Sequence, residues 1–341
     1  MSTDAVKKYV AAVNKTHKGL GNLSAFCILS AKANRCAVII GVSGTGKTTA
    51  MESAISNNGK ENIILDSVTR SGLEDYVDTL NGFAGSFVCR DLGSIDTSYS
   101  LTESLKVLAV LAYEHKITKV NAQTKIDIDN YNGSTMTTSQ PIIMYRVMRA
   151  DSWETVLQDK VTRYYHLLRP TNTSQEPIRA KIDWGIDTAK VRITSKMDKI
   201  IRKYIDDHVL QWSDGRSIQH LSAYLQAYAA LCGHNMATVN HWKSLLHILA
   251  PLNLEKYILY RDGFDSGREF LSAEMCILTE MATYGGIEKL RTMKNYRISE
   301  RTFRRIMSET SVWYLQQLER GGEYNMSRQT IDVLRECGYL R

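Results

Sequence analysis

The segment Gly41-Val-Ser-Gly-Thr-Gly46-Lys47-Thr48 constrains this chain more than any other, because it satisfies the pattern GxxxxGK[ST] in full. Its surroundings also match. The β-rich run Cys36–Ile40 comes just before it, and a helix-forming stretch from Thr48 to Ile55 follows. Strand, glycine turn and helix in that order make a cradle for phosphate. Glycines let backbone N–H groups turn inward without Cβ clashes, and the helix N-terminus adds its positive dipole end. A lysine at position 47 supplies a compact cation for β- and γ-phosphates, and the Thr48 hydroxyl is placed to ligate Mg²⁺. The nucleotide-binding set expected from the motif is therefore Gly41, Ser43, Gly44, Thr45, Gly46, Lys47, Thr48 and Thr49, with ATP and Mg²⁺ as cofactors.

A loop of this kind must sit on a sheet, and the flanking sequence supplies one. From about residue 25 to 170, apolar runs such as CAVII, NIILD and GSFVC alternate with helical stretches such as TTAMESAIS and ESLKVLAVLAYEH. That alternation argues for an α/β fold, a parallel sheet with helices on both faces. From about 190 to 250 the apolar spacing is helical throughout, and from 251 onward it is again mostly helical. At 341 residues the chain exceeds one ordinary core. Three domains are expected: a phosphate-loop core at 1–180, a helical lid at 181–250 and a C-terminal helical unit at 251–341. Prolines at 170, 177 and 251 fall near these borders.

Bulk properties exclude several classes. No apolar run is long enough to cross a bilayer, and the six cysteines show no CxxC spacing for zinc or disulfides. Buried thiols in a reducing cytoplasm are the expectation, with no membrane partner. The net charge of +7 permits a polyanionic partner without demanding one.

The metal site needs a carboxylate at the tip of a nearby strand. Asp91, after the run Ser86–Cys89, is the preferred candidate, with Asp66 after NIILD as its rival. Leu92 follows Asp91 where many hydrolysing relatives carry a glutamate, so the general base stays open among Asp91, Asp96 and Glu103.

The order of features resembles the AAA+ ATPases over roughly residues 25–250. Gln140-Pro-Ile-Ile-Met-Tyr145 resembles their fourth core strand, which implies a polar γ-phosphate sensor near Tyr145 or Arg146. Trp153 to Tyr164 resembles the segment that ends in an arginine reaching a neighbouring subunit's ATP, which implies Arg163 in that role with Arg169 behind it. Ser213-Asp-Gly-Arg216 resembles the start of a lid helix whose arginine contacts the γ-phosphate, which implies Arg216. With Lys47 and Asp91, these arginines form the expected catalytic set; Thr48 and Asp91 form the metal set. Between the proposed strands, Thr124 to Thr138 alternates polar and apolar residues around Asn132-Gly133. This reads as a hairpin, either a pore-lining one as in AAA+ helicases or a plain edge hairpin.

At the C-terminus, Ser272 to Tyr284, Ile287 to Met293 and Glu300 to Ser308 lay out three helices, with Ser299 as an N-cap for the last. The layout resembles a helix-turn-helix, and Arg328 to Leu340 would add a wing or a packing helix. Arg301, Arg304 and Arg305 share one face at i, i+3, i+4, and Arg297 precedes them; all four are candidate DNA contacts. The expectation is thus an oligomeric ATPase, ring or filament, acting on DNA like a replication initiator, helicase loader or viral or plasmid helicase. The rivals are a packaging or translocation motor of a mobile element, and a nucleotide switch that binds a protein partner.

Overall fold

A computed structural model describes residues 4–56, 59–69, 71–95, 97–120, 125–170, 177–259, 270–317 and 322–340. Its centre is a five-stranded sheet formed by β1 (Cys36–Ile40), β2 (Asn62–Leu65), β3 (Ser86–Cys89), β6 (Ser134–Ser139) and β7 (Val161–Tyr165). The order is β2-β3-β6-β1-β7, and every pairing is parallel. This is a mixed α/β fold that fits a P-loop nucleoside triphosphatase.

The strands form where burial on both faces favours them. All five residues of β1 are buried, as are those of β7. Each fully buried valine or isoleucine contributes about 1.5–3 kcal/mol. The strand β6, STMTTS, is buried throughout although nearly every residue is polar. Its hydroxyls are satisfied locally: Thr135 donates to the Leu108 carbonyl, Thr138 to that of Arg90, and Ser134 pairs with Ser86. β-Branched threonine suits the pleat, and hydrogen bonding removes the cost of burying its hydroxyl.

This strand corrects two expectations. The fourth strand of the parallel sheet is Ser134–Ser139, and Pro141–Met148 is a helix, α6, not a strand. Proline at the first helical position explains the switch, since its missing N–H costs nothing there. Nor do Asn132 and Gly133 form a hairpin tip. The antiparallel pair is β4 (Ile117–Val120) with β5 (Lys125–Ile128), joined through 121–124, which lie outside the described residues. Gly133 instead leads into β6, where a Cβ would stand 2.4 Å from the Gly85 carbonyl oxygen. Close backbone approach, not a turn, requires glycine there.

One face of the sheet packs on α2 (Gly21–Lys32) and α3 (Lys47–Ser56). Behind them lie α1 (Ala5–Thr16), α7 (Ser195–Asp207), α8 (Asp214–Leu231) and α9 (Val239–Leu249), all in one apolar cluster. The 190–250 helices therefore share a core with the N-terminal ones; Tyr224 on α8 pairs its hydroxyl with Thr162 on β7. The other face packs on α5 (Ser98–Glu114) and α6, and its cluster continues into the C-terminal unit.

That unit begins with α10 (Leu254–Leu259) and α11 (Phe270–Tyr284). After them come β8 (Ile287–Glu288), α12 (Lys289–Tyr296), α13 (Glu300–Glu309), β9 (Tyr314–Gln317), β10 (Glu323–Met326) and α14 (Arg328–Glu336). The three short strands pair antiparallel in the order β8-β10-β9. The second helix thus starts at Lys289, after a bridging strand, rather than at Ile287. Ser299 caps α13 by accepting from the Thr302 amide, and Ser327 caps α14 in the same way. Among the described residues no helix is long and apolar enough to cross a membrane.

Candidate functional site

Strand register brings the site together. Ile40 of β1 stands opposite Ser139 of β6, and Cys89 of β3 opposite Thr137. One step further along β1 and β6 places Gly41 and Gln140 side by side at the carboxyl edge of the sheet, and two steps past Cys89 bring Asp91 to the same edge. There a cleft of about 630 Å³ opens, lined by Ser43 through Thr49, Asp91, Thr138 and Gln140, with His17, Leu20, Pro170 and Pro177 around the rim. All the expected nucleotide-binding positions except Gly41 line it, and Gly41 forms its base through a bond from Lys47.

The loop has the conformation that phosphate binding asks for. Gly44 and Gly46 adopt φ of +76° and +75°, the left-handed region that side chains avoid. The turn is held from inside by the Thr45 hydroxyl, which donates to the Val42 carbonyl at 2.9 Å. From below, His166 Nε2 lies 3.1 Å from the Thr45 carbonyl oxygen. A carbonyl only accepts, so that nitrogen carries the proton, and His166 is a neutral donor. Burial, then the nearby Lys47 charge, pushes its pKa down to about 3. The first turn of α3 directs its amides and dipole into the cleft.

Lys47 caps the loop's own carbonyls, donating to Gly41 at 2.8 Å and Val42 at 2.9 Å. Burial lowers its pKa to about 8, the Asp91 charge opposes that shift, and the Arg169 charge adds to it. Among the described residues no carboxylate lies within ion-pair distance of its Nζ. The ammonium is thus held by neutral oxygens only, ready to exchange them for phosphate oxygens.

Asp91 extends from the tip of β3, and one of its carboxylate oxygens accepts from the Gly93 amide at 2.9 Å. Asp66, the rival, sits beyond the edge strand β2 with a well-exposed side chain and pairs with Arg90. It does not line the cleft; Asp91 does. Of the other two base candidates, Glu103 pairs with Lys106 on α5, and Asp96 lies outside the described residues. Among the described residues Asp91 is the sole carboxylate lining the cleft.

The arginines fall elsewhere than the sequence reading placed them. Arg163 is fully buried on β7. Its Nε and Nη2 each donate at 2.7 Å to Glu255, while Nη1 reaches the Gln158 and Val161 carbonyls and Nη2 also reaches that of Gln211. The guanidinium also lies over the Trp153 ring. A side chain saturated and enclosed in this way cannot extend into another subunit, so Arg163 is not an arginine finger. Arg216 is not at the nucleotide either. It donates to the Tyr113 hydroxyl near the end of α5 and to Gln219 Oε1. The Gln219 carbonyl in turn holds Arg35, the residue before β1. The phosphate loop leaves the other end of that strand, about 16 Å away at the usual rise per residue.

Tyr145 and Arg146, expected at the sensor position, line a separate cleft of about 830 Å³ with Arg149 and Arg305. Thr138 and Gln140, at the end of β6, line the phosphate-loop cleft instead. Their strand carries no apolar run, and threonine-rich pairing is the only sequence signal that marks it. His17 and Leu20 were missed because no local motif marks them. In the C-terminal unit, Arg301, Arg304 and Arg305 project from α13 opposite its buried face of Phe303, Ile306 and Met307. Arg304 pairs with Glu300 at 2.7 Å, and Arg305 lies 4.0 Å from Glu309. Arg297 ends α12 in the left-handed conformation.

No protein-family profile matches the chain. No curated protein matches it either. Solved structures do; among them is one described as "SCCmec type IV Cch - active helicase". It is 14% identical, covers 97% of this chain and 71% of its own, and overlays with a TM-score of 0.42. An overlay that loose carries no argument about substrate or partner.

Proposed function

We propose that this protein is an AAA+-type ATPase that binds MgATP at the 41–49 loop and acts on DNA as an oligomer. The observation that carries the reading is Lys47: a half-buried ammonium bonded only to loop carbonyls, inside a cleft that also holds a helix N-terminus and one strand-tip carboxylate. Thr48 and Asp91 would hold Mg²⁺, Thr48 directly and Asp91 through its water shell; the hydroxyl-plus-carboxylate donor set suits a hard cation. Gln140 would sense the γ-phosphate by hydrogen bonding.

The DNA role draws on the C-terminal unit. Three helices followed by an antiparallel strand pair support a winged-helix reading, with α13 in the recognition position. The exposed arginines of α13 would meet phosphates. ATP turnover should rise on adding DNA, and DNA affinity should fall steeply with salt. Reversing Arg301 and Arg304 to glutamate should flatten that log–log salt slope by about two, roughly 0.9 per lost phosphate contact. An unchanged slope would remove α13 from the interface.

A slow nucleotide switch is the second reading, favoured by one observation. Leu92 follows Asp91, and among the described residues no second carboxylate lines the cleft to activate water. Turnover that stays slow and indifferent to DNA selects it.

A further inference from the structure

The amino edge of the sheet, opposite the phosphate loop, carries two arginines that lack a counter-ion among the described residues. Arg35 stands just before β1, and Arg216 lies in the first turn of α8; both are half-buried. They converge on one residue. Arg35 Nη2 donates to the Gln219 carbonyl at 3.4 Å, and Arg216 Nη1 donates to Gln219 Oε1 at 3.1 Å. Arg216 also donates to the Tyr113 hydroxyl, and its guanidinium lies 4.6 Å over the Tyr113 ring.

Every one of these acceptors is neutral. Among the described residues neither arginine reaches a carboxylate within ion-pair distance. Glu114, next to Tyr113, pairs with Lys160, and Asp159 accepts from the Ser213 amide and hydroxyl at 2.8 and 2.7 Å. Asp214, also in the first turn of α8, is exposed and pairs with neither arginine. Burial, and then the Arg35 charge, lowers the pKa of His220 to about 3, so that imidazole adds no third cation. Arg35 Nε is buried with no hydrogen-bond partner among the described residues. Folded chains rarely leave a buried charged donor unmet, and Arg163 shows how such a group is satisfied when it serves structure.

We propose that Arg35 and Arg216 form a second anion site, at the amino edge of the sheet, that takes a phosphate group. Two positive charges match a phosphate dianion, whereas a carboxylate neutralises only one of them. Guanidinium groups grip phosphate oxygens by paired, charge-assisted hydrogen bonds. Gln219 acts as a placeholder, since its two oxygens orient both guanidiniums without neutralising either. The site stands apart from the nucleotide-binding reading of the 41–49 loop.

Calorimetry with inorganic phosphate on the full Lys47→Ala chain tests it, because that substitution removes the loop's own ammonium. Phosphate uptake should persist there. Adding Arg216→Gln should weaken it at least about tenfold, the loss of a charge-assisted contact. No uptake by the Lys47→Ala chain, or the same affinity with and without Arg216→Gln, overturns the site. A DNA oligonucleotide that displaces the phosphate identifies a nucleic-acid backbone as its source, and one that does not identifies a free phosphate or phosphate ester. MgATP binding by the wild type is read separately, so the nucleotide reading and this site fail independently. Should the Arg216→Gln chain not fold, Arg216→Lys decides: it keeps the charge but loses the paired geometry, and should weaken phosphate about threefold. Unchanged affinity in that variant overturns the site.

Discussion

The middle of β7 and the carboxyl edge of the sheet hold cations in opposite ways. At the middle, Arg163 is enclosed and every donor is met by Glu255 or a carbonyl. At the carboxyl edge of the sheet, Lys47 is bonded only to neutral oxygens, and Arg169, beyond the end of β7, keeps Nε and Nη2 buried without a hydrogen-bond partner among the described residues, its Nε 3.9 Å from Glu280. A paired cation in the interior holds structure together, whereas a cation left short of anions in a cleft is prepared for one that arrives. Burial alone does not separate the two; the partner does.

The largest expected effect breaks the first half of that contrast. Arg163→Ala leaves Glu255 fully buried with only the Tyr165 hydroxyl donating to it at 2.9 Å among its described hydrogen bonds. Removing one partner of such a pair costs about 3–5 kcal/mol. Urea denaturation should show that loss, and mixing Arg163→Ala with Lys47→Ala chains should restore no ATPase activity. Full stability with selective loss of turnover would return Arg163 to the active site.

Lys47→Ala tests the second half. Turnover should drop at least about 10²–10³-fold, the usual cost of removing one preorganised charge from a transition state. Stability should hold or rise, because burial disfavours the charged amine by more than the Asp91 charge offsets. A destabilised Lys47→Ala protein would make the lysine a structural group and dissolve the comparison.

The tip of the sheet was legible in the sequence and its middle was not, for a physical reason. Phosphate binding demands residue types at fixed spacing, so positions 41–48 announce themselves, and Asp91 follows from counting one apolar run. The placement of Arg163 depends on Glu255 and Gln211, which arrive from far along the chain, and no local pattern encodes that meeting. Strand β6 has no apolar run to mark it, because Ser134–Ser139 satisfies its polar groups through neighbours that meet it only in the fold. The apolar run of the helix that begins at Pro141 resembles the missing strand, and so draws the sensor expectation to Tyr145 or Arg146, away from the cleft that Gln140 lines. Arg216 was displaced for a related reason: a cap-like helix start fixes where a helix begins, not which end of the sheet it faces.

Between the two arginines lies His166, and it gives the smallest and finest test. It is buried beneath the loop, faces the Lys47 charge, and is bonded to the Thr45 carbonyl. Its pKa near 3 in the folded chain, against an ordinary value of 6.5, means that the unfolded chain binds a proton the native one refuses. Stability from this group is therefore complete above about pH 6.5 and declines as acid is added, by about 1.4 kcal/mol per pH unit until its folded pKa is reached. His220, buried against the Asp159 carbonyl and also near 3, adds a second proton to the same slope. Urea unfolding between pH 6.5 and 5 should thus steepen with acid, and His166→Asn should remove one proton from the slope while His220 keeps the other. If the slope is unchanged in His166→Asn, then His166 is charged in the native fold. The segment 163–169 would then hold cations at both ends and in the middle, with only one of them neutralised.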